Sequence, residues 1–170
     1  MAKTAREAEF TAYVASRSGW LRKVAYLLCG DWHRADDLVQ ESITKLYVNW
    51  PRAGRVENID GYARKVLVNT FLAEQRSPWW RRTTRTGVEP DTESAGIDLD
   101  ASLDLRKALA ALPPRQRATV VLRYYCDLTI DQAAEALGCS SGNVKSQTSR
   151  GLEALRATLA VRPTTAERTS

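Results

Sequence analysis

From Ser141 to Arg150 the chain reads SGNVKSQTSR, with a single large apolar residue, Val144. Such a run has little to bury and much to offer a hydrogen-bonding surface. Lys and Arg donate to guanine O6 and N7, and Asn or Gln pairs with adenine. A helix that reads duplex DNA does so with its N-terminal turns. This favours Ser141, Asn143, Lys145, Ser146, Ser149 and Arg150, and leaves Arg156 better suited to a phosphate. The same run also fits the solvated face of an ordinary helical hairpin.

The segment around it supports the DNA-reading alternative. Between Leu128 and Leu155 two short amphipathic patterns flank Gly138, which can take the left-handed conformation of a tight turn. Ala133 and Ala134 are small enough for closely crossing helices, and Leu137 and Val144 can meet across the turn. Catalytic chemistry has little to work with. There is one histidine, His33, and no nucleophile elbow, zinc-binding helix motif, Walker loop or dinucleotide fingerprint. Cys29, Cys126 and Cys139 are far apart and odd in number, so reduced, mostly buried thiols are expected, with no metal and no cofactor.

These residues need a scaffold, and the periodicity predicts an all-α one. A first helix, about 9–28, carries Phe10, Val14, Trp20, Leu21, Val24 and Leu28 on or near one face and stops at Gly30. Asp31 caps a second, about 32–50, with an apolar stripe of Ala35, Leu38, Val39, Ser42, Ile43, Leu46 and Trp50. Its other face bears Asp36, Asp37, Gln40 and Glu41, which by itself reads as solvated. Asp60 is expected to cap a third helix, about 61–76. Helices follow at about 103–112, from Pro114 to about Cys126 with Val120, Val121 and Tyr124 inward, at 130–137 capped by Thr129, and at about 141–159 along Val144, Leu152, Leu155 and Leu159.

Two small helical modules are therefore expected, 1–82 and 101–160. A flexible acidic linker, 83–100, joins them, and a disordered tail, 161–170, follows. The net charge of +5, from 25 Lys and Arg against 20 Asp and Glu, admits a nucleic-acid partner without demanding one. MAKTAREAEF lacks the apolar core of a signal peptide, and no run is long and apolar enough for a membrane span. A soluble, cytoplasmic protein without membrane insertion is expected.

LPPRQRATVVLRYYCDLTIDQAAEALGCSSGNVKSQTSRGLEALR resembles region 4 of extracytoplasmic-function sigma factors of bacterial RNA polymerase, within the sigma-70 family. LLCGDWHRADDLVQESITKLYVNW and GYARKVLVNTFLAEQRSPWWRR resemble region 2 of the same group. The resemblance implies a non-enzymatic factor that brings core polymerase to promoters. Its region 4 would read the upstream (−35) element as duplex, and its region 2 the downstream (−10) element as a melted strand.

The resemblance further implies that Asp36, Asp37, Leu38, Val39, Gln40 and Glu41 meet the clamp helices of the largest polymerase subunits, the flap region being a second contact. It directs −10 capture to Asn58, Tyr62, Arg64, Lys65 and Asn69, an amide holding a flipped base edge and an aromatic stacking on it. Tyr62 fits core packing as well. Trp79 and Trp80 fit base stacking or, preferably, packing against the bundle. Glu89, Asp91, Glu93, Asp98 and Asp100 would mimic phosphate charge in a polymerase channel. Many members of the group are held by an anti-sigma protein, a further candidate partner. The alternative is a stand-alone helix-turn-helix regulator that binds duplex operator without polymerase.

Overall fold

A computed structural model describes residues 2–50, 58–76 and 103–160. The expected linker and tail, Trp79, Trp80 and the five linker acids lie outside these residues. All regular elements among the described residues are helical.

Helix α1 spans Ala2–Cys29 and ends where Gly30 turns to φ +76°, its N–H donating to the Tyr26 carbonyl at 2.7 Å. Only glycine takes that dihedral without a steric cost. Asp31 then accepts a hydrogen bond from the His33 N–H and starts α2, Trp32–Val48. Trp32, Ala35, Leu38, Val39, Ser42 and Leu46 turn inward, with the Ser42 hydroxyl satisfied by the Leu38 carbonyl at 2.7 Å. Trp32 stacks on Tyr26 at 3.9 Å, and Arg22 lies over the same indole.

Helix α3, Ile59–Gln75, departs from expectation at its start. Its cap is Asn58, whose side-chain oxygen accepts from the Gly61 N–H at 2.9 Å. Asp60, already inside the first turn, instead takes hydrogen bonds from Tyr13 and Arg17 of α1. Burial alone would push the Asp60 carboxyl up. The bonds from Arg17 and Tyr13 and the nearby cations outweigh it and hold the carboxyl below the usual carboxylate range. The pair thus pins the N-terminus of α3 to the middle of α1.

The second module opens with α4, Leu103–Ala110, and α5, Pro114–Val120, which begins on a proline at its first turn. Helix α5 runs into a π-helical turn, Val121–Tyr125, with Cys126 N–H bonded five residues back to Val121. The wider turn rotates Tyr124 away from the apolar face. It is 57% exposed, against the inward position expected of it, whereas Val120 and Val121 are buried. Asp127 at φ +56° and the Leu128 N–H bond to Leu122 close the turn.

Thr129 and Gln132 make a reciprocal capping box at the start of α6, Ile130–Leu137. Gly138 ends it at φ +66°. Helix α7, Ser141–Ala160, follows two residues later, the Ser140 hydroxyl capping it through the Asn143 N–H. Val144, Gly151 and Leu155 are buried and Leu152 half-buried, but Leu159 is exposed. The last turn projects beyond its neighbours, and residues 156–160 are all exposed. The buried residues of both modules belong to one continuous cluster, in which α1 and α3 touch α4, α5 and α6.

Candidate functional site

Helix α7 owes its presentation to what lies beneath it. Val144, Gly151 and Leu155 face the module's core, and a Cβ on Gly151 would sit 2.7 Å from Val120 Cγ2. The absence of that carbon lets α7 lie close on α5. The opposite face is left clear. Lys145, Ser146, Ser149 and Arg150 are exposed, on consecutive turns of one side.

Ser141 and Asn143 differ from them in being half-buried at the first turn. The Ser141 hydroxyl donates to Asp131 Oδ1 at 2.8 Å, so it anchors the helix rather than standing free. Arg115 Nη2 donates to the Leu137 carbonyl at 3.3 Å and holds the end of α6 against α5. Asp131 and Arg115 were not singled out in the sequence. Neither has a local signal, because each acts on a partner ten or more residues away.

On α3, Asn58, Tyr62, Arg64 and Lys65 are brought together along one wall of a cavity of about 180 Å3. Leu128, Gln132, Glu135 and Ala136 of the second module supply the facing wall. Asn58 also caps the helix, Tyr62 is half-buried, and the Arg64 guanidinium lies 5.4 Å from the Trp20 ring centre. Asn69 is exposed further along α3, outside the cavity.

The acidic helix divides in two. Asp37, Gln40 and Glu41 are exposed on one side of α2. Asp36 is held by Arg22 through two hydrogen bonds, at 2.6 and 3.3 Å. Leu38 and Val39 are buried in the protein's own core, at 0% and 5% exposure, so they position the helix from behind instead of reaching a partner. Glu41 also meets Glu74 of α3. Burial, the hydrogen bond with Glu41 and its negative charge push the Glu74 carboxyl up to about 8. Two carboxyls can share such a bond only if one keeps its proton.

Among the described residues no cluster of His, Cys, Asp and Glu could hold a metal ion. No helix among them is long and apolar enough to cross a membrane. Burial raises the thiols of Cys29 and of Cys126, the latter to about 11, which leaves both protonated and unreactive at neutral pH.

Residues 10–81 match the family model described as Sigma-70 region 2, and residues 102–155 that described as Sigma-70, region 4. The chain is 34% identical to the RNA polymerase sigma-E factor of Streptomyces coelicolor over 161 residues, 91% of this chain and 88% of that one. It is 25% identical to the ECF RNA polymerase sigma factor SigW of Bacillus subtilis, over 79% of this chain and 80% of that protein. Among solved structures, the sigma factor RpoE of Bartonella quintana, crystallised with the anti-sigma factor NepR, shares its fold. The TM-score is 0.70 at 24% identity, over 91% of this chain and 99% of that one.

Proposed function

Because this chain belongs to the sigma-70 family, in its extracytoplasmic-function group, we infer that its three polar surfaces divide the work of a sigma factor among them. As a member it binds core RNA polymerase and directs promoter-specific initiation. It is an initiation factor, not an enzyme, and the chemistry of RNA synthesis stays with the polymerase.

In this reading α7 takes the upstream element as duplex, with Lys145, Ser146, Ser149 and Arg150 at base edges and phosphates. The observation that carries it is the clear face of α7 above a fully packed underside. Ser141 and Asn143 would set the entry angle. Helix α3 takes the melted downstream element, with Tyr62 and Asn69 toward bases and Arg64 and Lys65 toward phosphates. Asp37, Gln40 and Glu41 meet the polymerase clamp, where charge sets orientation and on-rate. The work divides between residues 1–82 and 101–160. A cytoplasmic location follows from the polymerase being there, and an anti-sigma protein is a fitting regulator, as in the complex of the Bartonella protein.

Run-off transcription with purified core polymerase on upstream fragments from the same genome tests this. Discrete transcripts should require the protein and vanish with the double variant Asp37→Ala, Gln40→Ala. If core polymerase ignores the protein while it retards duplex DNA alone, a free-standing regulator replaces this reading.

A further inference from the structure

Glu74 brings a carboxyl of α3 to the acidic side of α2. Asp37, Glu41 and Lys45 follow one another at four-residue spacing, so their side chains rise along one side of that helix. Glu74 meets them half-buried and shares a hydrogen bond with Glu41. Its Oε2 is closed off from solvent, and no donor among the described residues reaches it. A second full charge there would stand against Glu41 and Asp37 without solvation, and one proton held between the two carboxyls removes it. Lys45 relieves the pair only in part. Its Nζ donates to the Thr70 hydroxyl at 3.1 Å and stands 3.7 Å from Glu41 Oε1.

Behind the pair, the end of α1 and the start of α2 present Cys29, Asp31 and Arg34, and α5 presents Arg117. Arg34 and Asp31 lie 3.7 Å apart, and burial keeps the Cys29 thiol protonated. Arg117 donates to the carbonyls of Leu28, Ala110 and Leu112 at 2.6, 3.1 and 2.9 Å. The inner surroundings are thus set by the fold. The outer side is open to change, because Asp37, Gln40 and Glu41 are exposed there. With Glu74 raised to about 8, the pair keeps its proton at neutral pH. Cations brought opposite Asp37 and Glu41 would favour the fully ionised pair instead.

We propose that Glu74 belongs to the polymerase-docking face, and that docking drives the proton it shares with Glu41 out to solvent. This rests on α2 being the polymerase surface. The docked face then carries one negative charge more than the free one, set where the partner's cations arrive, and the released proton passes to buffer. Docking that releases a proton is favoured as protons grow scarce, so affinity climbs with pH and levels off above about 8, where the free pair has already ionised. The climb is at most about tenfold per pH unit for one proton. A partner without cations leaves the proton in place and gains nothing from Glu74, so the pair selects for a basic surface.

Isothermal titration of the full-length protein with core polymerase at neutral pH, in buffers of different ionisation enthalpy, counts the protons directly. Net release is expected, and none, or uptake, would overturn the proposal. Glu74→Gln keeps a donor for Glu41 but has no proton to lose. Its affinity for polymerase, followed from about pH 6 to about pH 9 at constant salt, should match the unaltered chain at the acid end and fall about tenfold behind at the alkaline end. Ionisations on polymerase are common to both proteins and cancel in this comparison. Curves that stay together across the range, with equal proton counts, would remove Glu74 from the docking face. If Glu74→Gln loses helical circular dichroism, Glu74→Met, of similar length and also without a proton to give, decides by the same criterion. Binding without any difference between the proteins sinks this proposal alone. Failure of the unaltered chain to bind polymerase at all sinks the functional assignment with it.

Discussion

Asp131 and Ser141, the first turns of α6 and α7, are joined side chain to side chain at 2.8 Å. The bond spans the turn that Gly138 makes and fixes the angle at which α7 leaves it. Ser141 is thereby occupied before any DNA arrives. Its contribution to promoter reading is expected to be geometric, passing through Asp131.

Replacing either partner should therefore have the same effect. Asp131→Ala and Ser141→Ala should each weaken holoenzyme use of the upstream element, and the double variant should be no worse than the single ones. A coupling of about 1 kcal/mol is expected from a double-mutant cycle on promoter affinity. Additive losses would mean that the two residues act separately.

Lys145 and Arg150 are the exposed cations of the reading face. Lys145→Ala and Arg150→Ala should each weaken promoter binding by the holoenzyme. A residue that contacts only phosphate should lower the salt dependence by about one ion and leave sequence preference alone. One that reads a guanine should instead relax preference at one position, with a loss of about 1–3 kcal/mol. Salt titrations on a promoter and its single-base variants separate the two.

Gly151→Ala should destabilise the second module by about 1–3 kcal/mol, because the new Cβ would sit 2.7 Å from Val120 Cγ2. Gly138→Ala should cost about 1 kcal/mol for a different reason. Nothing lies within 4 Å of a Cβ there, but φ +66° disfavours any side chain. Val120→Ala should relieve the first and not the second, which thermal unfolding of the double variants would reveal.

Acid and base act at opposite ends of α3. Asp60 has its carboxyl held below the ordinary range, so its contribution is present above the unfolded-state value and is lost as pH falls through the folded one. Asp60→Asn should make stability less sensitive to acid. Glu74, raised to about 8, favours the folded state while protonated. Its contribution is full below about 4.5 and declines as pH rises toward 8. Glu74→Gln should flatten stability between those values, as denaturant melts at several pH values would show.

What the sequence disclosed was local. Asp31, Thr129, Gly30 and Gly138 act on neighbours within a few residues, so the helix ends they set could be read directly. The helix-turn-helix was legible for the same reason, since its parts lie within Leu128–Leu155. Asp60 misled because its partners, Tyr13 and Arg17, are 47 and 43 residues away and outcompeted a capping role. Tyr124 misled because the apolar spacing presumed an α-helix where the backbone widens. Leu38 and Val39 belong to a surface motif by position but to the core by side chain. Arg117 stands in the legible LPPRQR run, yet its attachment to Leu28 crosses 89 residues and leaves no pattern.

The widened turn at Val121–Tyr125 also sets a phase. An α-helix advances about 100° per residue, and the turn lets the chain reach Leu128 with an extra residue accommodated between two packed elements. Removing one residue there would restore regular winding and nearly keep the phase of everything downstream, whereas adding a further one would rotate it by about that angle relative to α5. The reading face would keep its direction after the deletion and lose it after the insertion. Length in this short stretch is therefore a heritable setting of the direction in which the protein looks for DNA, and a single-codon deletion should be tolerated there far more readily than a single-codon insertion.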